Sequence, residues 1–357
     1  MIFSWAKKVQ RLVSLFAFLS LAVCLLVYSD VVRRGVVSGL QTCATVLIPS
    51  LFPFMVLSGV LGESRTARTM QSLLSPIMRY GFHLPPFTAC TVCMGWIGGY
   101  PVGAKMIASL LEQGRIGQAT AKRLLAFCVN AGPSFLICAV GAGFLGNAKA
   151  GILLLCCQLA SSWIIGVLLG IWHRRDPIEP DEAKEPPLPF SHALVHGVQS
   201  GINGMLSVIG YVLLFSAGIE LLSYFFADRC PGIFLLTGLL EVTTGCLQAA
   251  KQSNLVLIGF LVSFSGLSVI FQVLSFFKGM PGLFWPLLCS RLAHGVLTAC
   301  LVRLGMVLFP QTATVFASAS QPLVPQLSAT PAVSILLAVL CGVFLFSLFP
   351  RNFRRLD

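Results

Sequence analysis

Residues 95–105 read Gly-Trp-Ile-Gly-Gly-Tyr-Pro-Val-Gly-Ala-Lys inside an otherwise apolar segment. Four glycines, a proline and a lysine stand where a membrane helix carries leucine and valine. Pro101 removes a backbone donor, and the glycines weaken the helix and let the chain turn. At membrane depth, such backbone is tolerated only where protein buries it or a watery cavity solvates it. A second stretch, Asn130-Ala-Gly-Pro133, breaks the next apolar segment in the same manner. Paired broken segments point to the binding site of a transporter, and the rest of the chain reads as scaffolding around them.

That reading needs a membrane, and the composition supplies one. Hydrophobic residues make up 56% of the 357 and charged residues 10%, where a soluble domain is about one-quarter charged. Mean hydropathy is +0.88. The fold class is therefore all-α, a polytopic integral membrane protein. The net charge of +12 is dispersed over the ends of apolar runs, so it reads as positive-inside topology charge and not as a nucleic-acid surface. Thirteen cysteines, an odd number lying mostly within apolar segments, argue against a disulfide framework.

Taken in order, residues 1–34 form an N-terminal membrane anchor helix, which spans from Leu12 to Tyr28 behind Lys7, Lys8 and Arg11. Residues 35–172 form a first repeat. It opens with a span kinked at Ile48-Pro-Ser-Leu-Phe-Pro-Phe54, followed by a basic loop, and Ser72 to Tyr80 reads as possible interfacial chain. Residues 88–111 follow as a re-entrant hairpin. Both flanks of that hairpin are basic, which requires the chain to enter and leave by one side. A span at 124–145, interrupted at Asn130, and an uninterrupted one at 150–172 complete the repeat. Residues 173–190 are a hydrophilic linker with five acids.

Residues 191–309 are a second repeat: a span at about 204–226, a short broken segment carrying Leu240-Glu-Val-Thr-Thr-Gly245, a span broken at Phe264-Ser-Gly-Leu-Ser268, and a span over 283–309. Residues 310–357 are a loop and a C-terminal helix with a basic tail. The expectation is about eight spanning helices plus two re-entrant hairpins, with both termini cytoplasmic. Arg33 and Arg34 are the main exceptions to the positive-inside pattern. Gly103 and Gly132 correspond to Gly245 and Gly266, and the two hairpins enter from opposite faces. That is an inverted repeat, the architecture of alternating access. Consecutive G-x-x-x-G steps at Gly95, Gly99 and Gly103 also fit plain close packing, but packing alone does not account for Pro101.

The candidate substrate-binding residues are Gly99, Tyr100, Pro101, Lys105, Asn130, Gly132, Glu241, Thr243, Thr244, Ser265, Ser268 and Arg291. Half-helix N-termini at the breaks favour an anion. Glu241 reads as a substrate contact or proton carrier, or as a structural glutamate bonded to backbone at a hairpin tip. Lys105 either snorkels to the cytoplasmic face or neutralises an anion. Arg291 and His294 share a helical face that either lines a cavity or pairs internally. Cys90-Thr-Val-Cys93 has no second cysteine pair, His192 and His196 lack H-E-x-x-H, and Gly141-Ala-Gly-Phe-Leu-Gly146 lacks a strand. No cofactor, metal site or enzyme is expected.

At these motifs the sequence resembles the sporulation integral membrane protein YlbJ (SpoVV) family, Gate-domain proteins of endospore-forming bacteria. The matching stretches are Ile48 to Phe54, Gly98-Gly-Tyr-Pro-Val-Gly-Ala-Lys105, Leu124-Leu-Ala-Phe-Cys-Val-Asn-Ala-Gly-Pro133, Leu240 to Gly245, Phe264 to Ser268 and Ser290-Arg-Leu-Ala-His294. Val129 stands where the family usually carries an asparagine. The resemblance implies a membrane transporter or channel of sporulation that moves dipicolinic acid from mother cell towards forespore, seated in the outer forespore membrane. The alternatives are a nucleoside-type or other small-molecule transporter, and a non-transporting factor that assembles with other spore-envelope membrane proteins. The expected partners are thus a small anionic molecule and the lipid bilayer.

Overall fold

The computed structural model describes residues 12–13, 15–16, 19–20, 22–62, 65–180, 189–227, 232–277 and 279–308. Among them the chain is predominantly helical and has no strand. The expected C-terminal span at 332–349, the 311–330 loop and most of the N-terminal anchor lie outside the described residues. Five helices are long and apolar enough to cross a membrane: Ser29–Gly62 (α1), Ala148–Trp172 (α7), Phe190–Phe226 (α8), Leu255–Ser275 and Phe284–Leu308 (α13). Shorter helices lie between them.

A turn at Tyr28 precedes α1, which runs for 34 residues from Ser29. Arg33 and Arg34 are therefore helical. Arg34 reaches Glu220 of α8 at 3.4 Å, and Arg33 reaches Asp30 at 3.6 Å. Pro49 and Pro53 do not stop α1. Pro49 denies Thr45 its donor, and the helix answers with a π stretch at Cys43–Leu47. The basic loop after it is largely helical, Arg65–Pro76 (α2). The expected span at about 204–226 is part of α8, one helix of 37 residues that starts at Phe190.

Both short broken segments fold back on themselves. The first comprises Pro86–Ile97 (α3) and Tyr100–Glu112 (α4). A Cβ on Gly103 would lie 2.8 Å from the Cα of Gly95, although eight residues of straight helix rise about 12 Å. The second comprises Ile233–Leu240 (α9) and Val242–Lys251 (α10). There a Cβ on Gly238 would lie 3.0 Å from the Cα of Gly245. No arm exceeds the 13 residues of α4, about 20 Å of helix against about 30 Å of hydrocarbon. Gly99 turns the first hairpin at φ 93°, ψ 174°, a conformation essentially reserved for glycine.

A second broken pair follows each hairpin: Gln118–Cys128 (α5) with Ser134–Phe144 (α6, wound as a π-helix), and Leu255–Phe264 (α11) with Gly266–Ser275 (α12). The order of long helix, hairpin, broken pair and long helix thus occurs twice. Corresponding helices run antiparallel. Gly35 and Gly39 of α1 pack on Ala217 and Ser216 of α8, while Gly59 packs on Gly197. Ser161 of α7 meets Thr298 of α13 at 2.6 Å, while Gly305 packs on Leu153. The cross-half contacts exchange as well, α4 touching α12 and α10 touching α6. One apolar core joins the breaks, α7 and α13. A smaller core lies between α1, α8 and the hairpin residues Cys90, Met94 and Val102.

Candidate functional site

The two hairpin tips and the two second breaks meet at one small cavity. Gly99, Tyr100 and Pro101 open α4 there, Gly132 precedes α6, Glu241 and Thr243 open α10, and Ser268 and Gln272 lie in the first turns of α12. Leu47, Ser50 and Leu51 of α1 and Val208 and Val212 of α8 close the opposite wall. Four helix N-termini, two from each half, therefore border one space. The second-break glycines sit against the hairpin tips: a Cβ on Gly132 would come within 3.1 Å of the Ile97 carbonyl, and one on Gly266 within 3.2 Å of the Val242 amide.

Three of these N-termini, those of α4, α6 and α12, have no side-chain cap. The fourth is capped by Glu241, whose backbone is extended at φ −141°. Its two carboxylate oxygens accept from the amides of Thr243 (2.8 Å) and Thr244 (2.7 Å). One negative charge is thus fixed at one of four dipole ends, each carrying about half a positive charge. Glu241 is at once a backbone-bonded residue of the hairpin tip and part of the cavity lining.

At the α12 end, Ser265 and Gly266 are both left-handed, with φ 73° and 75°. The hydroxyl of Ser265 donates to the Phe264 carbonyl at 2.5 Å. Ser268 is 1% exposed, and its hydroxyl has no partner in the structure.

The break after α5 strips the last carbonyls of that helix of their N–H donors, and polar side chains replace them. Arg291 of α13 donates to the carbonyls of Val129 and Ala126, and to that of Leu125 at 3.4 Å. The Phe127 carbonyl accepts from Asn130 (2.7 Å) and Ser162 (2.6 Å). Gln158 donates to Ala131 at 3.0 Å, and the His294 ring lies 3.3 Å from the Gln158 carbonyl. The remaining carbonyl, that of Cys128, fills the notch left by Gly95 and Gly103. The G-x-x-x-G spacing therefore provides close approach of backbone to backbone beside its part in the turn.

Of the twelve candidates, Gly99, Tyr100, Pro101, Gly132, Glu241, Thr243 and Ser268 line the cavity. Asn130 and Arg291 lie behind it, in the polar cluster at the α5 terminus. Thr244 gives its amide to Glu241, Ser265 is bonded to its own neighbour, and Lys105 donates to the Ser200 carbonyl of α8. Sequence reasoning misses Gln272 in the lining and Gln158 in the cluster. An amide inside each apolar run is the signal that marks them.

Residues 44–148, which include the first hairpin and the α5–α6 break, match the Gate family described as nucleoside recognition. The chain is also 27% identical over 339 residues to the sporulation integral membrane protein YlbJ of Bacillus subtilis, covering 84% of this chain and 83% of that protein. The chain is similar to YlbJ, and residues 44–148 of it match the Gate model. With five apolar helices of spanning length, it is an integral, multi-pass protein of the bilayer. No solved structure matches it significantly. The Gate match ends at residue 148, just where α7 begins, so it takes in the first hairpin and first break and leaves the second half outside.

Proposed function

We propose that this protein carries a small anionic molecule across the membrane, and that the molecule is dipicolinic acid passing from mother cell towards forespore. The convergence of four half-helix N-termini on one cavity carries the reading. One of the four is already capped by the Glu241 carboxylate, and the other three are left uncapped to attract a further anion. Leu51, Val208, Val212 and Phe135 offer apolar surface to a flat ring. Similarity to a sporulation membrane protein supplies the setting, the outer forespore membrane, with both termini in the cytoplasm.

Movement follows from where the cavity lies. On one side are the breaks and their large apolar core; on the other is the antiparallel α1–α8 pair. Sliding the break-bearing body along that pair opens the cavity to one face and then to the other. The matched halves provide two related packings for the two states.

A nucleoside-type substrate is the second reading. The Gate description favours it, as do the neutral polar groups of Ser268 and Gln272 in the lining. Uptake of labelled dipicolinate into proteoliposomes separates the readings. Saturable uptake blocked by unlabelled dipicolinate and not by uridine is expected. Blockage by uridine alone, with uridine itself taken up, selects the nucleoside reading. Uptake of neither leaves an assembly role and overturns transport.

A further inference from the structure

Lys105 stands one helical turn beyond Pro101 on α4, and Gly204 stands one turn before Val208 on α8; Pro101 and Val208 both line the cavity. Between these two positions the Lys105 ammonium donates to the main-chain carbonyl of Ser200. A Cβ on Gly204 would lie 2.4 Å from the Met55 methyl and 3.2 Å from that nitrogen, so glycine there leaves room for both side chains. The ion pairs among the described residues are Arg33–Asp30 and Arg34–Glu220. Lys105 is therefore a half-buried cation whose partner is a neutral carbonyl already engaged in its own helix.

This bond also crosses the boundary between the two bodies, joining the first hairpin to the α1–α8 pair. A charge-assisted bond to a carboxylate is stronger than one to a neutral carbonyl. The flexible four-carbon stem of lysine can swing the ammonium through the roughly 5 Å of one helical turn that separates it from the cavity.

We propose that Lys105 is an anion-released latch. Without substrate it holds α4 to α8 through the Ser200 carbonyl; when a carboxylate enters the cavity, the ammonium turns to it and frees the break-bearing body to slide. The latch rests on the anion-transport reading above. It gives that reading a coupling step, because loading the cavity with negative charge loosens the contact between the bodies.

The test uses the boundary itself. Gly62 of α1 faces the Met106 side chain of α4, a Cβ on Gly62 lying 3.9 Å from the methionine methyl. Cysteines at these two positions, in a cysteine-depleted full-length chain in proteoliposomes, are joined by a short thiol-reactive cross-linker. The substrate-free protein should cross-link fast, and Lys105→Gln should slow it about fivefold or more, as loss of a coupling contact does. Lys105→Arg should restore the rate, which a merely misfolded variant would not. Dipicolinate added to the Lys105 protein should slow it to the same extent and should leave Lys105→Gln unchanged. An unchanged rate in Lys105→Gln overturns the latch, whatever dipicolinate does. A slowed Lys105→Gln with no response of the Lys105 protein to dipicolinate keeps the latch and removes dipicolinate as the anion.

Discussion

Tyr100, at the tip of the first hairpin, donates its phenolic hydrogen to the carbonyl of Val262 in the second half at 2.6 Å. Val262 lies in the last turn of α11, where the left-handed Ser265 and Gly266 end the helix and leave its carbonyl without a helical donor. Arg291 does the same service in the opposite sense, tying the second half to the carbonyls of α5 in the first. Each broken helix is thus capped from the other half.

Tyr100→Phe removes one such bond and keeps the ring. The orphaned carbonyl should cost about 1–3 kcal/mol, read as a fall of a few degrees in the thermal midpoint of the detergent-purified protein. An unchanged midpoint would mean that the carbonyl finds another donor.

Arg291→Met leaves three carbonyls at the end of α5 facing apolar surroundings and should be far more damaging, by about 3 kcal/mol or more. Arg291→Lys keeps the charge, but a single ammonium cannot reproduce the planar fork that spans three acceptors. The expected order of thermal midpoints is Arg291, then Lys, then Met. Equal midpoints for Lys and Arg would show that charge alone caps the helix.

Glu241→Gln keeps an oxygen for one of the two α10 amides and removes the negative charge from the cavity. Dipicolinate affinity, measured by equilibrium binding, should hold or improve, because a carboxylate no longer faces the ligand's own. Glu241→Ala loses the cap altogether and should destabilise the protein by about 1 kcal/mol. Weakened dipicolinate binding in the glutamine variant would count against an anionic ligand and towards a nucleoside.

Gly103→Ala drives a methyl into the Cys128 carbonyl and the Gly95 backbone, and Gly245→Ala drives one into Gly238. Both should sharply reduce the yield of folded protein. Gly210→Ala, on the open face of α8, meets nothing within 4 Å and should be tolerated with a neutral or slightly positive effect. Fluorescence-detected size-exclusion profiles of the three variants give the comparison.

The hairpins and breaks are legible in the sequence because backbone chemistry leaves few options: glycine and proline at Gly99, Pro101, Gly132 and Gly266 have no place inside an unbroken apolar helix. The pairing of Gly103 with Gly245, and of Gly132 with Gly266, is equally readable, since each pair does one steric job in its own half. The start of α1 is harder. Arg33 and Arg34 look like loop charges until Glu220, 186 residues away from Arg34, supplies a partner. The place of Arg291 is hidden for the same reason, because its acceptors are main-chain carbonyls some 160 residues distant, and carbonyls leave no mark in a sequence. Glu241 is intermediate. Its position at a hairpin tip is readable, but its hold on both Thr243 and Thr244 depends on an extended backbone that only the folded turn provides.

The two hairpin tips occupy matching places, yet they are chemically unlike. Glu241 brings a fixed carboxylate to one, while the other ends in the bare backbone of Gly99 and the apolar ring of Pro101. An anion between them meets the Glu241 carboxylate on one flank and uncapped amides on the other. The negative end of a bound molecule is therefore drawn towards the Gly99 side, and the space has a polarity that the matched helices around it lack.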